Sequence, residues 1–150
     1  MATVWALFPR VPLGVSPAIL REVQAARAQG CGWLDQVPVH CESGQLQLVA
    51  ANPAEVLAAE ALPDSLGLGE REAIALCQSR GWSFVTNDRR ARNYCREVGV
   101  AVMDLAGPPR ALWTTGVRPK KFVRGLLQRM AEAEGIVFKN QAAIFQPSTR

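Results

Sequence analysis

The stretch EREAIALCQSRGWSFVTNDRRARNYCREVGVAVM, Glu70 to Met103, decides the fold. A helix is predicted from Glu70 to Arg80 and closes at Gly81. Ser83 to Thr86 then reads as a strand, Arg89 to Val98 as a helix capped by Asp88 and stopped by Gly99, and Val100 to Met103 as a second strand. Helix, strand, helix and strand joined by connections this short predict a parallel sheet with helices on both faces.

Upstream, Val11 to Val15 is a short β-branched run suited to a buried strand. Ser16-Pro17 follows as a hydroxyl cap with proline at the first helical position, and the helix it opens runs to Gly30. Ile19, Val23 and Ala26 form its apolar stripe, with Glu22 beside that stripe. Between Cys31 and Val49, two strand-like runs, Trp33 to Val39 and Leu46 to Val49, flank the turn Glu42-Ser43-Gly44. Asn52-Pro53 restarts a helix, Pro63-Asp64 stops it, and a loop with Gly67 and Gly69 leads back to Glu70. Downstream of Gly107-Pro108-Pro109, a short helical piece reaches Thr115. An amphipathic helix follows from Pro119 to Glu134, with Phe122, Leu126, Leu127 and Met130 on one side. No repeat, low-complexity tract or linker divides the 150 residues, so one domain spanning 1–150 is expected.

Composition bounds the function. With 49% hydrophobic and 20% charged residues and a mean hydropathy of +0.03, the chain is globular. No apolar run approaches the ~20 residues of a bilayer-spanning helix. The N-terminus has no basic segment ahead of an apolar one, so neither membrane nor secretion is expected and the default location is the cytoplasm. The four cysteines, Cys31, Cys41, Cys77 and Cys95, are too few for a disulfide scaffold and read as reduced thiols. Cys31, His40 and Cys41 supply three donors of the kind zinc takes, without a fourth at a finger spacing; small buried thiols and a surface histidine are the plainer account of them. Charge is unevenly placed. Residues 1–70 hold 3 Lys+Arg against 7 Asp+Glu, while residues 71–150 hold 14 against 6. The basic second half suits a polyanionic partner such as nucleic acid, or a solvated positive face.

Several kinds of chemistry are poorly served. The one histidine, His40, has no G-x-S-x-G nucleophile elbow to serve, and the Gly67-Leu68-Gly69 loop lacks the ending of a phosphate-binding loop. Carboxylates remain. In an open parallel sheet, ligands bind outside the carboxyl ends of the strands, where Asp88 follows Val85-Thr86-Asn87. Glu70 opens the preceding helix and Glu22 lies on the helix after the first strand. Three converging carboxylates would suit Mg2+ or Mn2+, which prefer hard oxygen ligands. Each also has a structural explanation: Asp88 as a cap, Glu70 as a partner of the helix dipole, Glu22 as a solvated side chain.

The segment Leu66-Gly67-Leu68-Gly69-Glu70-Arg71-Glu72-Ala73-Ile74-Ala75-Leu76-Cys77, followed by Phe84-Val85-Thr86-Asn87-Asp88-Arg89-Arg90-Ala91-Arg92, resembles the PIN domain. The likeness is to the small prokaryotic PIN-like proteins described as predicted nucleic-acid-binding proteins. Val15 to Val23 is similar to that family's second strand and helix, and Gly135 to Phe145 to its ending. The resemblance implies a PIN-like doubly wound parallel sheet and a metal-dependent ribonuclease site of acidic residues. Matched motif to motif, Glu22, Glu70 and Asp88 take catalytic and metal-binding places, with Glu72 on another face of its helix and Thr86 near a metal-bound water.

One departure stands out. The family opens with a central strand ending in aspartate, and no acidic residue precedes Glu22 here. The first strand is therefore expected to be missing, or replaced by Thr3 to Phe8 without its carboxylate. The resemblance implies an RNA endonuclease, as the toxin of a toxin–antitoxin pair with an antitoxin partner, or else a catalytically impaired PIN-like module binding RNA or a protein. Arg89, Arg92 and Arg96, with Lys120, Lys121 and Arg124, are the expected RNA-backbone contacts, and an exposed helix face is the plainer account of both groups. Trp33, Trp82 and Trp113 suit base stacking or core packing. The amphipathic helix from Pro119 suits a homodimer contact as well as packing on its own chain.

Overall fold

In the computed structural model of the chain, residues 12–134, 138 and 141–146 are described, apart from the side chains at 33, 133 and 134. They fall into two compact units, one of Pro12–Met103 and one that takes in the residues from Asp104 onward. Thr3 to Phe8, Val11, the Trp33 side chain and most of Gly135 to Asn140 lie outside the described residues.

The first unit runs β1 (Leu13–Val15), α1 (Pro17–Ala28), a 3-10 turn (Gly32–Asp35), α2 (Gln36–Glu42), β2 (Leu46–Leu48), α3 (Pro53–Glu60), α4 (Leu68–Arg80), β3 (Phe84–Val85), α5 (Arg89–Glu97) and β4 (Val102–Met103). Local chemistry sets the helix ends. Ser16 Oγ accepts from Ile19 N–H at 3.4 Å with Pro17 next to it. Asn52 and Glu55 exchange bonds in a capping box, Asn52 Oδ1 with Glu55 N–H at 3.0 Å and Glu55 Oε2 with Asn52 N–H at 2.8 Å. Gly81 and Gly99, at φ 66° and 76°, take the left-handed turn that stops α4 and α5.

Trp33 to Val39, expected as a strand, is helical: the 3-10 turn passes directly into α2. Pro38 explains the outcome. It has no N–H to donate to a ladder, whereas as third residue of α2 it sits in the first turn, where N–H groups have no intrahelical acceptor anyway. α4 likewise starts at Leu68, two residues earlier than expected, which brings Gly69 inside its first turn.

Pairing is parallel throughout. Leu13 lies opposite Leu46 and Val15 opposite Leu48 in one sheet; Phe84 lies opposite Val102 and Val85 opposite Met103 in the other. Among the described residues these are two separate two-stranded sheets, where the expected doubly wound fold has one. No described strand joins them, and rungs of two or three residues leave the unit's cohesion to helix packing. α4 is the hub: α1, α3 and β3 all pack against it. Its Ala73, Ile74 and Cys77 enter a core with Leu62, Leu66, Phe84, Ala91, Cys95 and Val100. Cys77 and Cys95 are free thiols there, as read from the sequence. Burial pushes the Cys77 thiol up to about 11, with Cys95 beside it adding to the shift. Both are inert fillers of apolar space.

The second unit contains α6 (Gly107–Thr114), α7 (Lys120–Glu134) and α8 (Gln141–Ile144). Leu112, Val123, Leu126, Leu127 and Ile144 form its core, so of the stripe read on the amphipathic helix Leu126 and Leu127 are buried within their own chain and Met130 packs against them, while Phe122 is half-buried outside that cluster. Three side chains hold the end of α8. Arg110 Nη2 bonds Ala143 O at 3.1 Å, Trp113 Nε1 bonds Ile144 O at 2.8 Å and Lys120 Nζ bonds Phe145 O at 3.3 Å. A helix of four residues leaves its last carbonyls without intrahelical donors, and these side chains supply them.

Candidate site at the helix N-termini

α1 and α4 cross with their first turns side by side. Glu22, in the second turn of α1, directs Oε1 to the Gly69 N–H at 3.0 Å. Glu72, in the second turn of α4, directs Oε2 to the Ala18 N–H at 2.8 Å. Each carboxylate satisfies a donor that the other helix cannot satisfy itself and sits at the positive end of its dipole. The approach depends on Gly69. A Cβ there would stand 2.9 Å from Glu22 Oε1 and 2.9 Å from Ile19 Cγ1.

Glu70 turns back on its own helix, its Oε2 accepting from Gly67 N–H at 3.0 Å. Glu22 and Glu70, 48 residues apart in the chain, thus both meet the first turn of α4. Asp88 caps α5, its Oδ1 accepting from Ala91 N–H at 2.9 Å, and Thr86 Oγ1 accepts the Asp88 N–H at 3.1 Å. Thr86 therefore fixes the backbone from which Asp88 projects. Burial, and after it the Glu70 charge, push the Cys95 thiol of α5 up, so the field of Glu70 extends to that helix.

Each of these carboxylates keeps its second oxygen, Glu22 Oε2, Glu70 Oε1 and Asp88 Oδ2, without a hydrogen bond among the described residues. Their hard-oxygen chemistry suits a divalent ion. Their grouping does not: no three acidic, histidine or cysteine side chains among the described residues stand close enough together to hold a metal. The same holds for Cys31, His40 and Cys41. His40 Nδ1 is 2.7 Å from Gln45 Oε1, and burial followed by the Glu42 charge push the Cys41 thiol up.

The cationic residues divide by what they touch. On α5, Arg89 and Arg96 are exposed and Arg92 half-buried, and Arg96 Nη1 bonds Asn93 Oδ1 at 3.2 Å. Lys121 is exposed. Lys120 lies 4.1 Å from the Trp113 ring centroid besides holding Phe145 O, so it is committed to α8. Trp113 is half-buried, and Trp82 is 45% exposed beneath the Arg80 guanidinium, 5.1 Å from its ring centroid.

Two features go beyond the sequence reading, which placed Glu72 only on another face of its helix and did not single out Glu55. Glu72 is as firmly engaged as Glu22, and the E-x-E spacing of Glu70 and Glu72 was the signal for it. The other is Glu55, whose carboxylate is 3% exposed and takes a two-pronged ion pair from Arg80, Nε to Oε1 and Nη2 to Oε2, both 2.7 Å. The Arg80 hydrogen bonds, then the Asn52 N–H, hold the Glu55 carboxyl down to about 2. No local pattern couples positions 55 and 80.

Compared with known proteins, residues 7–142 match a family model described as a PIN domain. No curated protein and no solved structure matches. No helix among the described residues is long and apolar enough to cross a membrane.

Proposed function

Because the chain belongs to the PIN-domain family, a nuclease-type fold, we propose that it is a divalent-metal-dependent RNA endonuclease acting through Glu22, Glu70 and Asp88. The observation that carries this reading is the meeting of Glu22 and Glu70 at the first turn of α4 from elements far apart in sequence. Carboxylates at helix N-termini, each with an oxygen to spare, are donors of the kind Mg2+ or Mn2+ takes. As they stand the three do not form an ion cage, so Asp88 has to approach the Glu22–Glu70 pair before any ion is shared. Arg89, Arg92 and Arg96 follow Asp88 at helical spacing and suit the RNA backbone, with Lys121 a further cation for the same role. A toxin role with an antitoxin partner, a homodimer and a cytoplasmic location belong to the same proposal.

A specific observation favours a second reading. All three carboxylates already serve backbone N–H groups and do not stand together, which is compatible with structural roles in a catalytically impaired PIN-like module that binds RNA or a protein without cutting. Manganese titration of the wild type against Glu70→Gln, with RNA cleavage measured in parallel, separates the two. Tight manganese binding lost in the variant supports the nuclease, and absence of both manganese binding and chelator-sensitive cleavage in the wild type leaves the binding module.

A further inference from the structure

In the second unit three cations, Arg110, Arg118 and Lys120, are held by carbonyl oxygens. Arg110 and Lys120 are held by the carbonyl end of α8. Arg124 is different. Its guanidinium lies 5.0 Å from the Phe145 ring centroid and, among the described residues, makes no hydrogen bond or ion pair. It borders an open groove of about 660 Å³ shared with Gln128, Ala131, Gln141, Ala142 and Phe145. Among the described residues no acidic side chain lines this groove. Gln128 gives its amide N–H to Glu132 Oε1 at 2.9 Å, while the Gln141 carboxamide has no hydrogen bond among the described residues.

A guanidinium whose N–H edge has no hydrogen bond among the described residues, the aromatic ring it lies over and an uncommitted carboxamide around one groove match the three parts of a nucleotide. The guanidinium edge bonds a phosphate in the plane of its N–H donors. Ring and guanidinium faces stack on a base, which suits unpaired strands because every base has a π-face. A carboxamide, with both donor and acceptor, reads a base edge. Lys121 is exposed on α7 three residues before Arg124, a spacing that puts a second positive charge on the same side of the helix.

We propose that the groove between α7 and α8 is a single-stranded RNA subsite that takes one nucleotide, with the phosphate on Arg124, the base against Phe145 and the base edge on Gln141. It rests on the RNA reading above but on none of the acidic residues.

The test is fluorescence anisotropy of a short labelled oligouridylate on the full-length protein, with chelator present so that cleavage does not intervene. Arg124→Ala and Phe145→Leu should each weaken binding roughly five- to a hundredfold. Arg124→Ala should also reduce the slope of log affinity against log salt by about 0.7, the share of one phosphate on a single strand, whereas Phe145→Leu should leave that slope unchanged. Arg124 and Phe145 touch each other, and Phe145 also packs on the core of this unit, so circular dichroism and a thermal melt check that both variants fold, and the salt slope separates loss of a phosphate contact from loss of packing. Wild-type RNA binding that survives both substitutions overturns the subsite and leaves the RNA reading standing. A wild type that binds no oligouridylate overturns both.

Discussion

Glu22 and Glu72 cap each other's helices: Glu22 Oε1 accepts the Gly69 N–H at 3.0 Å and Glu72 Oε2 accepts the Ala18 N–H at 2.8 Å. The exchange locks the start of α1 to the start of α4. It also presents Glu22 at the helix that carries Glu70.

Gly69→Ala tests how closely the two helices must approach. Inside an exposed helix this change stabilises by roughly 0.5–1 kcal/mol. Here the added methyl meets Glu22 Oε1 and Ile19 Cγ1 at 2.9 Å, so the sign reverses and a loss of about 1–3 kcal/mol is expected, the usual cost of overpacking. Urea unfolding measures it, and a more stable variant would show that α1 and α4 yield without cost.

Asp88→Asn separates chemistry from capping. Asparagine caps helices about as well as aspartate, so thermal stability should stay within ~0.5 kcal/mol of wild type. Asp88→Ala, which loses the bond to Ala91 N–H, should cost about 1 kcal/mol. Under the nuclease reading, both variants abolish RNA cleavage. Cleavage retained in Asp88→Asn, or in the presence of chelator, argues against a metal-dependent site at this helix.

Acid should weaken the fold through Glu55. Its carboxyl lies near 2 in the folded chain against an ordinary 4.5, held down first by Arg80 and then by the Asn52 N–H. The contribution is full above about 4.5 and is lost as pH falls from there through about 2. Unfolding free energy measured across that window should fall with pH in the wild type, and less steeply in Glu55→Gln. Equal slopes would mean that the pair with Arg80 does not govern acid stability.

Glu72→Ala removes a cap from α1 that no side chain near it in sequence replaces. A loss of about 1 kcal/mol is expected. Hydrogen exchange at Ala18 should accelerate in the variant more than exchange at Gly69, whose acceptor is intact. Equal acceleration at both amides would show that the two caps act only as one unit.

Punctuation was legible in the sequence because it is local. Ser16-Pro17, Asn52-Pro53, Asp88, Gly81 and Gly99 mark helix ends through bonds and dihedral angles spanning three or four residues, and each stands where it was read. The PIN assignment followed from the same stretches. The apolar composition of Trp33 to Val39 reads as a strand, and Pro38 makes the end of that run helical. The uses of Glu22, Glu72 and Glu55 were hidden for another reason. Their partners lie 47, 54 and 25 residues away, so spacing identified which carboxylates matter without showing which donor each would meet.

The anchoring of α8 makes Trp113 an optical gauge. Its indole N–H is tied to Ile144 O and its ring lies under the Lys120 ammonium, so any loosening of that short helix changes both the polarity and the charge around one fluorophore. Emission from a variant retaining only this tryptophan would follow the C-terminal segment without an added dye.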